Sequence, residues 1–466
     1  MSKPSIPQGT RDFSPEEVRK RQYIFNTLRD IFELYGFQPL ETPAMEQLTT
    51  LTGKYGEEGD RLIFKILNNG LHDKKEAERE KLNADWQKML ERPFTSPVVT
   101  ERALRYDLTI PFARYVVMHQ NELAFPFRRY QMQPVWRADR PQKGRYREFW
   151  QCDADVVGSA SLINEAELLL IYQSAFTKLG VPVVIKVNSR KLLAGIAELC
   201  GAPEKMMDIT IALDKLDKIG WDGVTKELRE RDIDDAGIDH IRRVIAVTGT
   251  NTEKLAAYAD MMQHSASGIE GINELSKTLA YVQGMTAGKN TGKVSVMVDI
   301  SLARGLNYYT GVIAEVVCNH PDVKMGSIGG GGRYDDLTGL FGLKGLSGVG
   351  VSFGIDRIYD VMDELKLFPG MLATGTKAIL INFGGENELY ALDILQQLRD
   401  AGIVAEIYPD VVKFDKQMKY ANKRGIPFVL LPGDDERAAG MVGVKDFNTG
   451  QQQQLSITDT IALLKG

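Results

Sequence analysis

A chain of 466 residues, 43% hydrophobic and 26% charged, is too long for one hydrophobic core and fits two or three globular domains. Its formal net charge of −5 argues against a surface that binds nucleic acid indiscriminately, so an RNA partner must meet a local basic patch. No run of about 18 apolar residues is present to span a membrane. The N-terminal segment lacks the apolar core of a secretory signal, and its acidic residues argue against a transit peptide, so we expect a cytoplasmic protein.

Cysteine and histidine are too scattered to predict a disulfide framework or a zinc site. Cys152, Cys200 and Cys318 form no C-x-x-C pair and are interpreted as small buried hydrophobic residues. The five histidines have no metal-ligand spacing. No Ser-His-Asp, H-E-x-x-H or paired-acid hydrolase pattern is found either, so those classes of enzyme are not indicated.

The N-terminal third predicts a helix, an edge strand, an insertion and a second helix. Apolar residues recur at helical spacing from Pro15 to Leu34, behind a Ser14 N-cap, and a proline-interrupted edge strand follows. The segment 68–91 is rich in Lys, Glu, Asp and Asn, which predicts an exposed helical or disordered insertion. A short strand then leads into an amphipathic helix that begins near Thr109.

Two alternating segments flank a basic loop in residues 127–155, FRRYQMQPVWRADRPQKGRYREFWQCDAD. Strand alternation places one set of side chains on a common face: Gln131, Gln133, Val135 and Arg137 from the first strand, and Arg147, Phe149, Gln151, Asp153 and Asp155 from the second. Guanidinium groups bind phosphate and carboxylates bind ammonium, so this face predicts a ligand that carries both groups. The pattern alone also fits an ordinary hairpin with a solvated charged loop.

The rest of the chain predicts a helical insertion, a return to strands and a separate C-terminal domain. Residues from about 189 to 287 are mostly helical in pattern and carry no recognisable chemical constellation. Strands and the glycine-rich segment GSIGGGGRYDDLTGLFG follow, then a strand and helix in LSGVGVSFGIDRIYDVMDEL. Beyond residue 376, strands and helices alternate, which predicts a three-layer domain with a largely parallel sheet.

Four segments resemble those of one enzyme family. RADRPQKGRYREFWQCDADVVG resembles motif 2 of the class II aminoacyl-tRNA synthetases, in the version found in histidyl-tRNA synthetases. LARGLNYYTGVIAEV resembles a peptide of that same family, and LRYDLTIP and the glycine-rich segment add two further matches. Asn307 departs from the family pattern, which usually has Asp there, and so removes one negative charge near the expected pocket. The resemblance spans nearly the whole chain.

The resemblance implies an α/β fold with an α+β catalytic domain built on a six-stranded antiparallel sheet. Its parts would be 1–188 (catalytic, with motifs 1 and 2), 189–290 (helical insertion), 291–370 (catalytic, with the histidine peptide and motif 3) and 376–466 (anticodon-binding). In the family, the helix from Pro15 and the strand after it form motif 1 and build a homodimer interface. An N-terminal helix docked on its own core fits that pattern equally well.

The resemblance also implies an activity and its residues. ATP and L-histidine would give histidyl-adenylate and pyrophosphate, and the 3′ end of tRNA(His) would then take the histidyl group, with Mg²⁺ bridging the ATP phosphates. No metal ligands are expected from the protein alone. Arg137 and Arg304 would act in catalysis, and Gln142 would meet the acceptor end of the tRNA. The remaining assignments are Arg137, Arg145 and Arg357 for ATP, and Asp107, Thr109, Gln151, Asp155, Arg304, Tyr308, Tyr309 and Tyr334 for histidine.

Two alternatives remain open at this point. A non-catalytic paralogue, the regulatory subunit of ATP phosphoribosyltransferase, binds histidine as a sensor, but such subunits lack the anticodon domain and much of the arginine set. A class II synthetase for threonine or proline is a third interpretation, against which the peptide LARGLNYYTG argues.

Overall fold

The structure, a computed structural model, describes residues 3–92, 94–288, 292–303, 308–372 and 375–465. The chain forms two compact units, one of Met1–Asp12 with Tyr23–Leu367 and the other of Phe13–Gln22 with Phe368–Gly466. In the described part of the chain, no helix is long and apolar enough to cross a membrane.

The strands form three sheets. In chain order they are β1 (Gln38–Pro39), β2 (Met45–Gln47), β3 (Lys65–Ile66), β4 (Arg102–Leu104), β5 (Phe127–Trp136), β6 (Glu148–Val157), β7 (Val183–Ser189), β8 (Val294–Val298), β9 (Val312–Cys318), β10 (Gly329–Tyr334), β11 (Gly348–Gly354), β12 (Ala378–Leu380), β13 (Ala405–Ile407), β14 (Phe428–Leu431), β15 (Met441–Asp446) and β16 (Gln452–Ser456).

The helices flank these sheets and fill the segment between β7 and β8. In chain order they are α1 (Pro15–Leu34), α2 (Leu48–Leu51), α3 (Gly56–Arg61), α4 (Glu76–Glu91), α5 (Thr109–Met118), α6 (Ile163–Leu179), α7 (Arg190–Leu199), α8 (Met206–Leu213), α9 (Leu216–Glu230), α10 (Asp235–Ile245), α11 (Asn251–Met261), α12 (Ala266–Thr286), α13 (Ile355–Glu364), α14 (Glu386–Asp400), α15 (Phe414–Lys423), α16 (Asp434–Ala439) and α17 (Ile457–Lys465).

The large sheet has eight strands in the spatial order β1-β5-β6-β11-β10-β9-β7-β8. The six strands from β5 to β7 in that order pair antiparallel throughout, which confirms the predicted antiparallel sheet. The predicted total of six is wrong, because β1 pairs parallel with β5 and β8 pairs parallel with β7. These edge pairings join segments remote in sequence, which strand periodicity cannot reveal.

The two faces of this sheet differ in chemistry because side chains alternate along each strand. On the apolar face, Phe353 of β11 packs against Tyr172 and Phe176 of α6, with ring centroids 4.7 and 5.7 Å apart. The opposite face carries Arg129 and Gln131 of β5, paired in register with Asp155 and Asp153 of β6. The predicted hairpin is thus confirmed, and its polar face lies inside the molecule.

The C-terminal unit has a five-stranded sheet in the order β13-β12-β14-β15-β16. Its first three strands are parallel, but β15 and β16 pair antiparallel, so the predicted largely parallel sheet is only partly correct. Alternate residues of β12 enter two apolar clusters, with α14 and α17 on one face and α15 on the other. This arrangement confirms the three predicted layers.

Three local predictions in the N-terminal third also agree with the structure. The helix α1 runs from Pro15 to Leu34 as predicted, and Ser14 and Glu17 exchange capping hydrogen bonds at its start. Of the two predictions for the charged insertion, helical or disordered, the structure shows the helix α4. The helix α5 begins at Thr109.

Candidate functional site

A cavity of about 280 Å³ opens on the polar face of the large sheet. Its walls come from β6, β10, β11, the start of α13, the loop that joins β5 to β6 and the segment before β10. The lining side chains and backbone are Arg137, Asp139, Gly144, Arg145, Tyr146, Phe149, Trp150, Gln151, Ser327, Ile328, Gly329, Gly330, Ser352, Gly354, Asp356 and Arg357.

Three guanidinium groups converge on this cavity. Arg137 lies 4.2 Å from the ring centroid of Tyr106, and its Nε donates to the Tyr106 carbonyl at 3.1 Å. Arg357 donates to the carbonyls of Gly144 (2.7 Å) and Ser327 (2.6 Å). Burial lowers the pKa of Arg357, and the positive charges of Arg145 and Arg137 lower it further. Because the three guanidinium groups repel one another, a ligand with several negative charges would bind favourably in this cavity.

Asp107 is buried at the start of α5. Its Oδ1 accepts hydrogen bonds from the Tyr55 hydroxyl (2.8 Å) and the Ile110 amide (3.2 Å). Its buried Oδ2 has no hydrogen-bond partner among the described residues. Burial raises the pKa of Asp107. A buried carboxylate oxygen without a donor is costly, so this atom is suited to bind an N–H group of a ligand.

Asp155 is held from two sides. The Arg129 guanidinium lies 2.9 Å from its Oδ2, and the Tyr334 hydroxyl donates to its Oδ1 at 2.6 Å. Gly350 lies opposite on β11, where a Cβ would come within 1.9 Å of Asp155 Oδ1. Gly348 makes room in the same way for the Tyr334 ring, which a Cβ would meet at 2.2 Å. Glycine at these positions of β11 is therefore a steric requirement of the site.

Three more buried acceptors lie along the same face of β5 and β6. Gln151 donates through Nε2 to Ser352 Oγ at 3.1 Å, and Gln131 donates through Nε2 to Thr42 Oγ1 at 2.8 Å. Among the residues that the structure describes, Gln131 Oε1, Gln151 Oε1 and Asp153 Oδ1 have no donor. Unsatisfied acceptors next to the arginine-lined cavity favour a ligand that carries N–H donors.

Three phenols close this region. The rings of Tyr308 and Tyr309 are 5.0 Å apart between centroids, and those of Tyr308 and Tyr334 are 6.2 Å apart, both edge to face. The Thr109 side chain is hydrogen-bonded to the Tyr308 phenol, and this bond counteracts part of the rise that burial causes in the pKa of Tyr308. Arg304, from the same predicted peptide, lies outside the described residues.

Gln142 lies apart from these groups at the tip of the loop between β5 and β6. Its backbone amide donates to the Arg145 carbonyl at 3.1 Å, and the Arg145 amide donates to the Gln142 carbonyl at 2.9 Å, which closes a tight turn. Gln142 is exposed and lines a second cavity, of about 440 Å³, that borders the first through Arg145 and Arg357.

Comparisons with known proteins identify the family of this chain. The family model described as "Histidyl-tRNA synthetase" matches residues 9–74 and 98–358, and one described as "Anticodon binding domain" matches residues 377–466. The chain belongs to the histidyl-tRNA synthetase family. This confirms the family predicted from the four motif segments. The unmatched residues 75–97 include α4.

Relatives and solved structures support the family over the full length. A histidine–tRNA ligase of Bacteroides fragilis is 52% identical over 463 residues, 99% of either chain. The crystal structure of histidyl-tRNA synthetase from Nostoc sp. PCC 7120 matches at TM-score 0.83 and 29% identity, covering 100% of this chain and 99% of that one. An "ATP phosphoribosyltransferase regulatory subunit/histidyl-tRNA synthetase" from Bacillus halodurans, at TM-score 0.69, 19% identity and coverage of 89% and 96%, shows the fold alone.

The structure brings together most of the site residues predicted from the sequence. Arg137, Arg145 and Arg357 meet at the cavity, while Asp107, Thr109, Gln151, Asp155, Tyr308, Tyr309 and Tyr334 lie in the adjoining polar region. Sequence reasoning missed Tyr55 and Arg129. Strand alternation could have indicated Arg129, because it shares a face with Gln131 and Gln133. Tyr55 gave no signal of its own.

Proposed function

We propose that this chain is a histidine–tRNA ligase that works in two steps. An oxygen of the histidine carboxylate attacks the α-phosphorus of ATP, the bond to the β-phosphate breaks, and pyrophosphate leaves. A ribose hydroxyl at the 3′ end of tRNA(His) then attacks the carbonyl carbon of the adenylate and releases AMP. The reaction is inferred from membership of the family, and the roles of the individual residues are our assignments.

The observation that carries the proposal is the meeting of cationic and acceptor groups on one face of the sheet. Three guanidinium groups line the cavity, and buried oxygens without donors begin at its edge, at Gln151. ATP supplies the anion and histidine supplies the N–H donors. A ligand pair with both properties satisfies both halves of the site.

Arg137 binds the α-phosphate and stabilises the charge that develops there during attack. Phosphoryl transfer asks the protein for positioning and positive charge more than for covalent chemistry. Arg145 and Arg357 bind the γ-phosphate, and Arg357 also stacks on adenine. Arg304 completes the positive charge at the α-phosphate and the substrate carboxylate, an assignment that rests on the family peptide alone.

Histidine binds through its ammonium and its imidazole ring. Asp107, Thr109 and Gln151 receive the ammonium, with Asp107 Oδ2 as the acceptor that lacks a donor. Asp155 and the phenols of Tyr308, Tyr309 and Tyr334 surround the ring. An apolar side chain in this pocket would leave these polar groups without hydrogen-bond partners. The kcat/KM for leucine or phenylalanine should therefore be far below that for histidine.

Mg²⁺ enters as a partner of ATP. Among the described residues there is no group of three His, Cys, Asp or Glu side chains that could hold a metal. The cavity carries the carboxylates of Asp139 and Asp356, and Asp356 already accepts from Arg11 and from the Trp150 amide. This set fits an ion held mainly by phosphate oxygens, and Asp139, whose Oδ1 lies 3.7 Å from Arg145 Nη1, would add one protein ligand. When bound, the ion neutralises charge on the leaving pyrophosphate.

The tRNA meets the chain at two places. We assign the acceptor end of the tRNA to Gln142, which is exposed at the loop tip, and the anticodon stem to the C-terminal unit. We also propose a cytoplasmic homodimer, as the motif 1 resemblance implies. Sedimentation or light scattering of the purified chain tests the dimer, and a mass of one chain at micromolar concentration contradicts it.

ATP–pyrophosphate exchange driven by each amino acid in turn tests the activity. Exchange with histidine alone supports the proposal, and equal exchange with threonine or proline contradicts the histidine assignment. Histidine binding without exchange would favour the sensor paralogue. That alternative is less well supported, because the chain has a match to the anticodon domain and full-length relatives named as ligases.

A further inference from the structure

Asp153 lies between two residues already assigned to histidine. It is on β6, two positions from Gln151 and two from Asp155, so all three side chains leave the strand on the same face. Its neighbours across the sheet are Gln131 of β5 and Ser352 of β11. Ser352 and Gln151 line the cavity, so Asp153 lies directly behind its wall.

The charges around Asp153 do not balance among the described residues. Asp153 and Asp155 are each 3% exposed, and Asp107 is 2% exposed. The cations described near this trio are Arg129 of β5, which pairs with Asp155, and Arg137, whose charge acts on Asp107. The phenol of Tyr309 lies near Asp153 and Asp155, while Tyr172 of α6 lies on the apolar face of the sheet. With two cations for three buried carboxylates, one carboxylate lacks a cation, which is costly unless a proton or a ligand cation accompanies it.

Asp153 has an oxygen ready for a donor. Ser352 is hydrogen-bonded to this carboxyl group, but its buried Oδ1 has no partner in the described part of the protein. Burial raises the pKa of Asp153 to about 7, against the opposing effect of Arg129, and the charge of Asp155 raises it further. At neutral pH the Asp153 carboxyl is therefore close to half protonated before substrate binds.

We propose that Asp153 is a further substrate-binding residue, which together with Asp155 binds the histidine ring as an imidazolium cation. A neutral ring arrives, and its free nitrogen takes a proton from the Asp153 carboxyl or, at a pH above the pKa of that group, from solvent. The proton count is conserved, no covalent bond to carbon changes, and no further reactant is needed. The bound state then has two carboxylates against Arg129 and the imidazolium. This inference rests on the proposed histidine activity and adds the charge state of the ring as a basis for selection.

A histidine analogue with a less basic ring distinguishes binding of the imidazolium cation from binding of the neutral ring. The ring of 1,2,4-triazole-3-alanine has the shape of imidazole but accepts a proton far less readily. In histidine-dependent exchange, kcat/KM for histidine should exceed that for the analogue by at least about tenfold, the scale of one charge-assisted contact. Asp153→Asn should narrow this ratio by about tenfold, mainly through KM for histidine. Asp393→Asn, an exposed position in α14, is the matched control and should leave the ratio unchanged.

A direct measurement keeps the inference testable if the variant fails to fold. Histidine labelled with ¹⁵N in the ring is bound to the wild-type chain at pH 8, where the free ring is neutral because its pKa is about 6.5. Two protonated ring nitrogens in the NMR spectrum support the imidazolium, and one unprotonated nitrogen overturns it. An unchanged analogue ratio in folded Asp153→Asn overturns it as well. Absence of any histidine-dependent exchange in the wild type would instead refute the proposed activity.

Discussion

The two main sheets of this protein bury different chemistry in similar positions. In the C-terminal sheet, the buried side chains of β12 and β14 are apolar: Ala378, Ile379, Leu380, Val429 and Leu430. In the large sheet, β5 and β6 bury Arg129, Gln131, Asp153 and Asp155 beside one another. Desolvating these polar groups costs stability that the apolar strands do not lose. The large sheet therefore gives up some folding stability in order to present polar groups that can bind a ligand.

The largest effect should come from the cations that the large sheet presents. Arg137→Ala removes a charge that faces the α-phosphate, so histidine-dependent pyrophosphate exchange should fall by at least about 100-fold. Arg304→Ala should lower exchange by a similar factor, a prediction that rests on the resemblance of its segment to the family peptide. Arg399→Ala, an exposed position in α14, serves as the control. Wild-type exchange rates in folded Arg137→Ala would remove the assigned role.

Removing the apolar sheet should separate RNA binding from activation. A chain without Lys377–Gly466 should keep histidine-dependent exchange but need at least about tenfold more tRNA for aminoacylation, because it lacks the anticodon contacts. The defect should shrink at low salt, where the basic loop from Arg140 to Arg147 binds phosphates more strongly.

The truncation needs one check of folding. Residues Phe13–Gln22 belong to the C-terminal unit, so the truncation removes most of the unit in which α1 begins. Circular dichroism should therefore accompany the assay, to show whether the start of α1 remains helical. A well-folded truncated chain that fails at pyrophosphate exchange would contradict the division of labour.

The same substitution, glycine to alanine, can be compared in a strand of each sheet. Gly350→Ala in β11 places a methyl group 1.9 Å from Asp155 Oδ1, so it should destabilise the chain by about 1–3 kcal/mol and raise KM for histidine. Gly443→Ala in β15 meets its nearest atom, Leu431 Cβ, at 3.1 Å and should cost less. Urea denaturation of both variants measures the difference. Equal costs, with an unchanged KM for Gly350→Ala, would contradict the steric role of Gly350.

The smallest effect concerns pH. An acid whose pKa is raised from 3.8 to about 7 on folding binds more protons in the folded state, so stability falls as pH rises across that interval. Asp153→Asn removes this penalty, so the ligand-free variant should gain stability relative to the wild type as pH rises from 4 to 8, with little difference at pH 4. Thermal denaturation at the two values tests the sign. A gain at pH 4 that equals the gain at pH 8 would count against it.

Local patterns predicted much of the fold because its elements are set by nearby residues. The helix α1 and the hairpin of β5 and β6 follow from helical spacing and strand alternation. The segments of β1 and β8 were predicted to be strands, but their parallel pairing with β5 and β7 was not, because it joins segments that are distant in sequence. For the same reason the antiparallel end of the C-terminal sheet was missed.

The site followed a similar division. Motif resemblance identified Asp107, Asp155 and the arginines, whose roles are tied to short segments. The contact of Tyr55 with Asp107 joins residues 52 positions apart, through a region where no motif is present. Arg129 was counted only as part of a basic patch, because nothing in composition says that a charged side chain on a strand is 0% exposed.

The run of four glycines that opens β10 has a consequence for how the protein folds. Residues Gly329–Gly332 pair with β9 on one side and β11 on the other, and they offer no side chain to an early hydrophobic nucleus. Glycine also loses more backbone entropy on ordering than any other residue. The strand β10 should therefore become protected late in pulse-labelling hydrogen exchange, after its two neighbours have formed. The substrate pocket would then be the last part of the sheet to assemble.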